Sequence, residues 1–260
     1  MRSVALRVAW SGFALAACSF APAPPNHQQP DATTSPDALV HHDARPDPDA
    51  PGSGSGVAVV QQKQTENDTA NTITATFDNP PAAGHVVMLV GGKATGSGTS
   101  VSGVGSAWTL VAGSWEVYDL EIWYTVANGT DSTITYDYLE SPTDLPMFMM
   151  VSDWTGLAAA DAVDASAPPA NTDAGSQTGG TARAGSGVTT HGPDVVVLGV
   201  SSEVGGSFAD FSPEVALTPI DGSAVAVGVW YEIEDEAGTY DPGVTSPGGW
   251  DAAVVAFKQQ

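Results

Sequence analysis

Cysteine occurs once in the chain, at Cys18. No disulfide can form within one copy and multi-cysteine metal sites are excluded, so packed apolar surface has to hold the fold together. Basic residues are nearly as scarce, with seven Lys and Arg against 30 Asp and Glu and a formal net charge of −23. A surface of that sign repels phosphate backbones and anionic headgroups, which argues against nucleic acid as a partner. The acidity reads instead as the solvation of an exported protein. After Cys18 no apolar run is long enough to span a bilayer. No window sustains a helical period. A nucleophile elbow, a phosphate loop with a following Lys and Ser or Thr, and the paired-His metalloprotease signature are also missing.

What is present starts with the apolar run Val8 to Ala17, which follows Arg2 and Arg7 and closes on Leu15-Ala16-Ala17-Cys18. A charged start, an apolar stretch too short for a bilayer and small residues at its end describe an export signal. The four closing residues fit the pattern aliphatic, small, small, Cys, and so resemble the lipobox of bacterial lipoproteins. That resemblance implies that residues 1–17 are a signal peptide removed during export. It also implies that the Cys18 thiol is diacylated and the new N-terminus held at a membrane. Each buried methylene contributes about 0.8 kcal/mol, so two or more chains anchor firmly. Ser19 rather than Asp after the cysteine favours the outer membrane or cell surface of the bacterial envelope.

Residues 18–56 read as a tether. Eight prolines from Pro22 to Pro51 lie among Asp, Ala and His, and the segment closes on Gly52-Ser53-Gly54-Ser55-Gly56. Such a stretch buries too little apolar area to offset its ordering entropy. As a coil it reaches about 35 Å, and as extended polyproline II about 120 Å. His41, His42, Asp43 and Asp47 carry metal-ligating groups, but no rigid element sets their geometry.

Residues 57–260 read as one all-β domain, a two-sheet antiparallel β-sandwich of jelly-roll type. Short segments rich in Val, Thr, Ile and aromatics recur between turn clusters such as Asp78-Asn79-Pro80-Pro81, Asn128-Gly129 and Pro242-Gly243. Alternation is clearest from Val117 to Val126. There Leu120, Ile122, Tyr124 and Val126 are expected to point into the core, and Asp119, Glu121, Trp123 and Thr125 toward water. From Ala224 to Glu234, the expectation is Val225, Val227, Val229, Tyr231 and Ile233 inward and Trp230, Glu232 and Glu234 outward.

An internal echo accompanies this pattern. Gly84 to Gly91 resembles Gly192 to Gly199, and Ile122 to Val126 resembles Val229 to Ile233, at nearly equal separations. Two shared motifs at one spacing suggest that each half builds an equivalent set of strands, which two Greek keys would merge into one jelly roll. The order Phe77 to Gly84, Trp108-Thr109-Leu110-Val111, Ile122-Trp123-Tyr124, Trp154-Thr155-Gly156, Asp194 to Leu198, Ala237-Gly238-Thr239-Tyr240 and Ala252 to Lys258 resembles a β-sandwich module of bacterial surface proteins and phage tail-associated proteins. The resemblance implies an exposed adhesive or structural role, and brings no catalytic residues with it.

Two arrangements invite a binding reading. Trp123 with Asp119 and Glu121, and Trp230 with Glu232 and Glu234, place an indole beside carboxylates on a face expected to be wet. That combination suits stacking on a sugar ring. Glu234-Asp235-Glu236 with Asp241 is an oxygen-rich turn suited to Ca²⁺. His85 and His191 read as loop histidines. The function expected from the sequence is a membrane-anchored surface lipoprotein that displays a sandwich for binding or envelope architecture, with a glycan or envelope protein as partner. The alternative is a carbohydrate-binding module or polysaccharide-acting enzyme with its carboxylates on the outward face.

Overall fold

The computed structural model describes residues 56–67, 70–93, 99–114, 119–138, 146–167, 170–172, 180–202, 205–212, 215–216, 220–221 and 226–260. The signal peptide, Cys18 and the tether expected before Gly56 lie outside the described residues, as do Val117 and Val225. Every described regular element is a strand. The first half runs β1 (Ala58–Asn67), β2 (Thr72–Thr76), β3 (Val86–Lys93), β4 (Thr99–Ser102), β5 (Thr109–Ser114), β6 (Leu120–Val126), β7 (Thr133–Tyr138) and β8 (Met147–Thr155). The second half opens with β9 (Val163–Ser166), β10 (Ala170–Thr172), β11 (Gly180–Arg183), β12 (Val188–Thr189), β13 (Asp194–Ser202) and β14 (Ala209–Ser212). It closes with β15 (Val215–Ala216), β16 (Ile220–Asp221), β17 (Ala226–Glu234), β18 (Thr239–Tyr240), β19 (Gly243–Ser246) and β20 (Trp250–Lys258).

The all-β antiparallel sandwich is therefore present, and it is doubled. In the first half one sheet has the order β1-β8-β3-β6-β5 and a second the order β2-β7-β4. In the second half the larger sheet has the order β10-β20-β13-β17-β15, with β9 on β20 and β16 on β17, and its companion is β11-β19-β14. Among the described residues no sheet mixes strands of the two halves. Each half closes its own sandwich instead of contributing a Greek key to a shared one.

Three apolar clusters mark the layers. Ile73, Ala75, Ile134 and Tyr136 of the smaller first sheet meet Val87, Leu89, Met149 and Val151 of the larger one. Val196, Leu198, Trp230, Ala252 and Val254 pack with Ala182 and Val244 in the second sandwich. Between the two larger sheets lies a central core, with Val86, Met88, Val90, Ile122, Met150 and Trp154 on one side and Val195, Val197, Val227, Val229, Ala253, Val255 and Phe257 on the other. The sequence of each strand follows from its layer. β3, Val-Val-Met-Leu-Val-Gly-Gly-Lys, is buried throughout because both its faces are covered. β2, Thr-Ile-Thr-Ala-Thr, alternates because only Ile73 and Ala75 face a core.

Pairing fixes the correspondence of the halves. Leu89 lies opposite Trp123 on β6 and Val151 on β8, while Leu198 lies opposite Trp230 on β17 and Val254 on β20. Leu89 thus corresponds to Leu198. The alignment of Gly84 with Gly192 is one residue out of this register, because those glycines mark turns rather than pairing. Across the central core, Trp154 packs edge-on against Tyr231 with ring centroids 4.8 Å apart. Tyr124 packs likewise against Phe257 at 5.8 Å. Trp154 and Phe257 hold equivalent places, opposite Val86 and Val195, and Tyr124 and Tyr231 do so opposite Met88 and Val197. Each aromatic contact is thus the image of the other when the halves are exchanged, the relation found in isologous two-fold interfaces.

The connections meet at one end. The Gln260 amide donates to the Gly156 carbonyl at 2.9 Å, and that of Gln259 to Pro193 at 3.1 Å. Gly156 has φ +77°, and a Cβ there would stand 2.6 Å from the Gly56 oxygen, so this crossing of chain segments requires glycine. β1, β3 and β13 run from this end to the opposite one, finishing at Asn67, Lys93 and Ser202.

Candidate functional site

The far end of the first sandwich encloses a polar cluster. Along β3, Val87, Leu89, Gly91 and Lys93 alternate onto the face that looks toward the smaller sheet. Gly91 pairs with Glu121, and the Asp119 amide donates to the Lys93 carbonyl at 3.0 Å, so Asp119 stands opposite Lys93. From the smaller sheet come Tyr136 and Tyr138 on β7, Thr99 opposite Tyr138 on β4, and Asn71 just before β2, whose carbonyl accepts from the Tyr138 amide at 2.8 Å. Lys93, Asp119 and Glu121 are all buried.

Glu121 is the hub. Its Oε2 accepts from Thr99 Oγ1 at 2.5 Å, Trp123 Nε1 at 2.8 Å and the Tyr136 hydroxyl at 2.9 Å. Three donors on one buried oxygen offset the loss of its water. Burial and the adjoining Glu121 charge raise the Tyr136 phenol well above its ordinary range. Burial, then Glu121 and Asp251, push Asp119 up to about 7. Among the described residues neither Asp119 carboxyl oxygen has a hydrogen-bond partner. Lys93 Nζ donates to Asn71 Oδ1 and lies 4.7 Å from the centre of the Tyr138 ring.

Among the described residues the second sandwich has no copy of this hub. The strand pairings place Gly228 where Glu121 stands, and the Trp230 ring lies over it: a Cβ on Gly228 would be 2.0 Å from Trp230 Cη2. An indole there replaces a carboxylate and its donors.

Two histidine clusters occupy the end where the connections meet. His85 Nδ1 lies 2.8 Å from Asp153 Oδ1, and Gln61 Nε2 donates to the other Asp153 oxygen at 3.0 Å. In the second half the His191 amide donates to Asp164 Oδ2 at 2.7 Å, with His191 Nδ1 at 3.1 Å from the same oxygen. Burial and then the Asp164 charge raise Asp194 to about 6. Burial also works to raise Asp164, but its His191 contacts outweigh this and hold it below the ordinary range.

The residues singled out from the sequence are redistributed accordingly. Asp119, Glu121 and Trp123 do come together, but inside a core. The face expected to meet water is the floor of the first sandwich, and it is polar because Thr99 and Tyr136 close over it. Trp230, 2 % exposed, belongs to the other sandwich, so the two indoles form no common platform. Trp123 packs against the first core. Glu232 is exposed. Glu234 ends β17, and its carbonyl accepts from Gln259 at 2.9 Å. Asp235 and Glu236 are exposed in the following turn, and Asp241 pairs with Arg183 at 2.8 Å. Among the described residues no three His, Cys, Asp or Glu are arranged to hold a metal ion.

Sequence reasoning passed over Lys93, Asn71, Thr99 and Tyr136. One signal was available: Lys93 ends an otherwise apolar strand in a chain with few cations. Comparison with protein families, curated proteins and solved structures gives no match.

Proposed function

We propose that this protein is an exported lipoprotein, anchored through acylated Cys18, that displays its doubled sandwich as a binding or architectural element of the bacterial envelope, at the outer membrane or cell surface. The observation that carries this reading is the only cysteine, placed at the close of Leu15-Ala16-Ala17-Cys18 behind Arg2, Arg7 and a short apolar run. The Pro- and Asp-rich residues 18–56 supply the reach. The recurrence of order 8-3-6 with 2-7-4 as 20-13-17 with 11-19-14 supports a jelly-roll-like reading of each half.

Metabolic labelling with a fatty-acid analogue tests the anchor. The native chain is expected to take up label and sediment with membranes, and Cys18→Ser to lose label and move to the soluble fraction. A native chain that stays unlabelled, or keeps residues 1–17, sinks the reading.

A further inference from the structure

The polar cluster holds a chemistry that display does not use. Lys93 is fully buried, and its Nζ donates to Asn71 Oδ1. An amine attacks through its uncharged, nucleophilic form. The partner is a carboxamide, whose carbon is an electrophile, and the Tyr138 ring covers the amine from one side. Two reacting groups fixed at contact distance gain the rate advantage of an intramolecular reaction.

We propose that Lys93 and Asn71 are joined by an intramolecular isopeptide bond that the folded chain forms by itself. Neutral Nζ attacks Cγ of Asn71 to give a tetrahedral centre. The Nζ–Cγ bond forms, the Cγ–Nδ2 bond breaks, and a proton from Nζ leaves with Nδ2 as ammonia. An amine and a carboxamide become a secondary amide and ammonia, with no oxidant, reductant or co-reactant. Asp119, opposite Lys93 in the ladder, serves as proton relay: its carboxyl gives a proton to the amide oxygen as the centre forms and regains it on collapse. Its elevation to about 7 keeps it protonated into the neutral range. Glu121 positions the enclosing wall through Thr99, Trp123 and Tyr136.

The bond ties the start of β2 in the smaller sheet to the end of β3 in the larger one, and so closes a covalent loop across the first sandwich. A chain with one cysteine has no disulfide to do this, and a closed loop lowers the entropy of the unfolded state. Ser202 takes the place of Lys93 in the second sandwich by register, so the link is confined to the first.

Peptide mapping of the purified full chain, denatured before digestion, decides the matter independently of the state of Cys18. Asp78 lies between Asn71 and Lys93, so cleavage before Asp separates them unless they are joined. The expected result is one branched peptide holding both residues, lighter by one ammonia than its two parts, with trypsin unable to cut after Lys93. Lys93→Arg and Asn71→Ala are expected to abolish the branched peptide, and Asp119→Asn to lower its yield in protein that still melts cooperatively. Separate Asn71 and Lys93 peptides from the native chain, with full cleavage after Lys93, overturn the proposal, whatever the variants do. A branched peptide whose yield is unchanged in Asp119→Asn overturns the relay.

Discussion

Val90 and Gly199 face each other across the central core, and a Cβ on Gly199 would stand 3.1 Å from Val90 Cγ1. Both follow the equivalent leucines Leu89 and Leu198, so the contact joins matching places in the two halves. Where a twofold relation brings a position against its own counterpart, one of the two has to be small. Gly199→Leu is expected to overpack this point and cost roughly 1 to 3 kcal/mol, with Val90→Ala in the same chain recovering part of it. Urea denaturation of the two single variants and the double variant checks this; strictly additive losses would mean that the side chains do not meet.

The mirrored aromatic contacts make a second expectation. Trp154→Ala removes the edge-on partner of Tyr231, and Phe257→Ala that of Tyr124, both from fully buried places. Each is expected to cost on the order of 3 to 5 kcal/mol. Thermal melts in which either variant matches the native chain would deny the central core its role in stability.

Glu121 concentrates three donors on one oxygen. Glu121→Ala is expected to leave Thr99, Trp123 and Tyr136 without that acceptor and destabilise by roughly 3 to 5 kcal/mol. Glu121→Gln keeps one acceptor oxygen and is expected to cost less. The two variants are to be ranked by urea midpoint, and equal midpoints would contradict the hub.

Acidity adds a fourth. Asp119 rises from 3.8 to about 7 and Asp194 from 3.8 to about 6 on folding. The native state therefore keeps protons that the unfolded chain has released. Stability from these groups is complete below about pH 4 and is lost as pH climbs to about 6 for Asp194 and about 7 for Asp119. Asp119→Asn is expected to flatten the upper part of that decline, between about pH 6 and 8. Denaturation midpoints between pH 5 and 8 measure it, and a native chain that gains stability toward pH 8 through this window would reverse the sign.

The strands themselves were legible in the sequence, because turn clusters bound short apolar runs. The continuous burial of β3 and β13 was latent in their unbroken apolar runs, which need a cover on each face. What alternation does not reveal is the nature of that second cover. Asp119, Glu121 and Trp123 form a polar stripe whether water or a hydrogen-bonding sheet lies beyond it, and the groups that close it, Thr99 and Tyr136, lie on other strands. Ile233 shows the opposite limit. It follows the inward pattern of Val229 and Tyr231, yet it is 39 % exposed, since it sits near the end of β17. The internal echo pointed to equivalent halves, and only strand pairing showed that each half closes on itself.

β1 enters beside the meeting place of the connections and pairs with β8 along nearly its whole length, from Ala58 opposite Thr155 to Asn67 opposite Met147. A pull applied at Ala58 and resisted at the opposite end runs parallel to this strand, while the ladder bonds lie across it. The load is then borne in shear, shared among many rungs at once, instead of opening them singly as a zipper would.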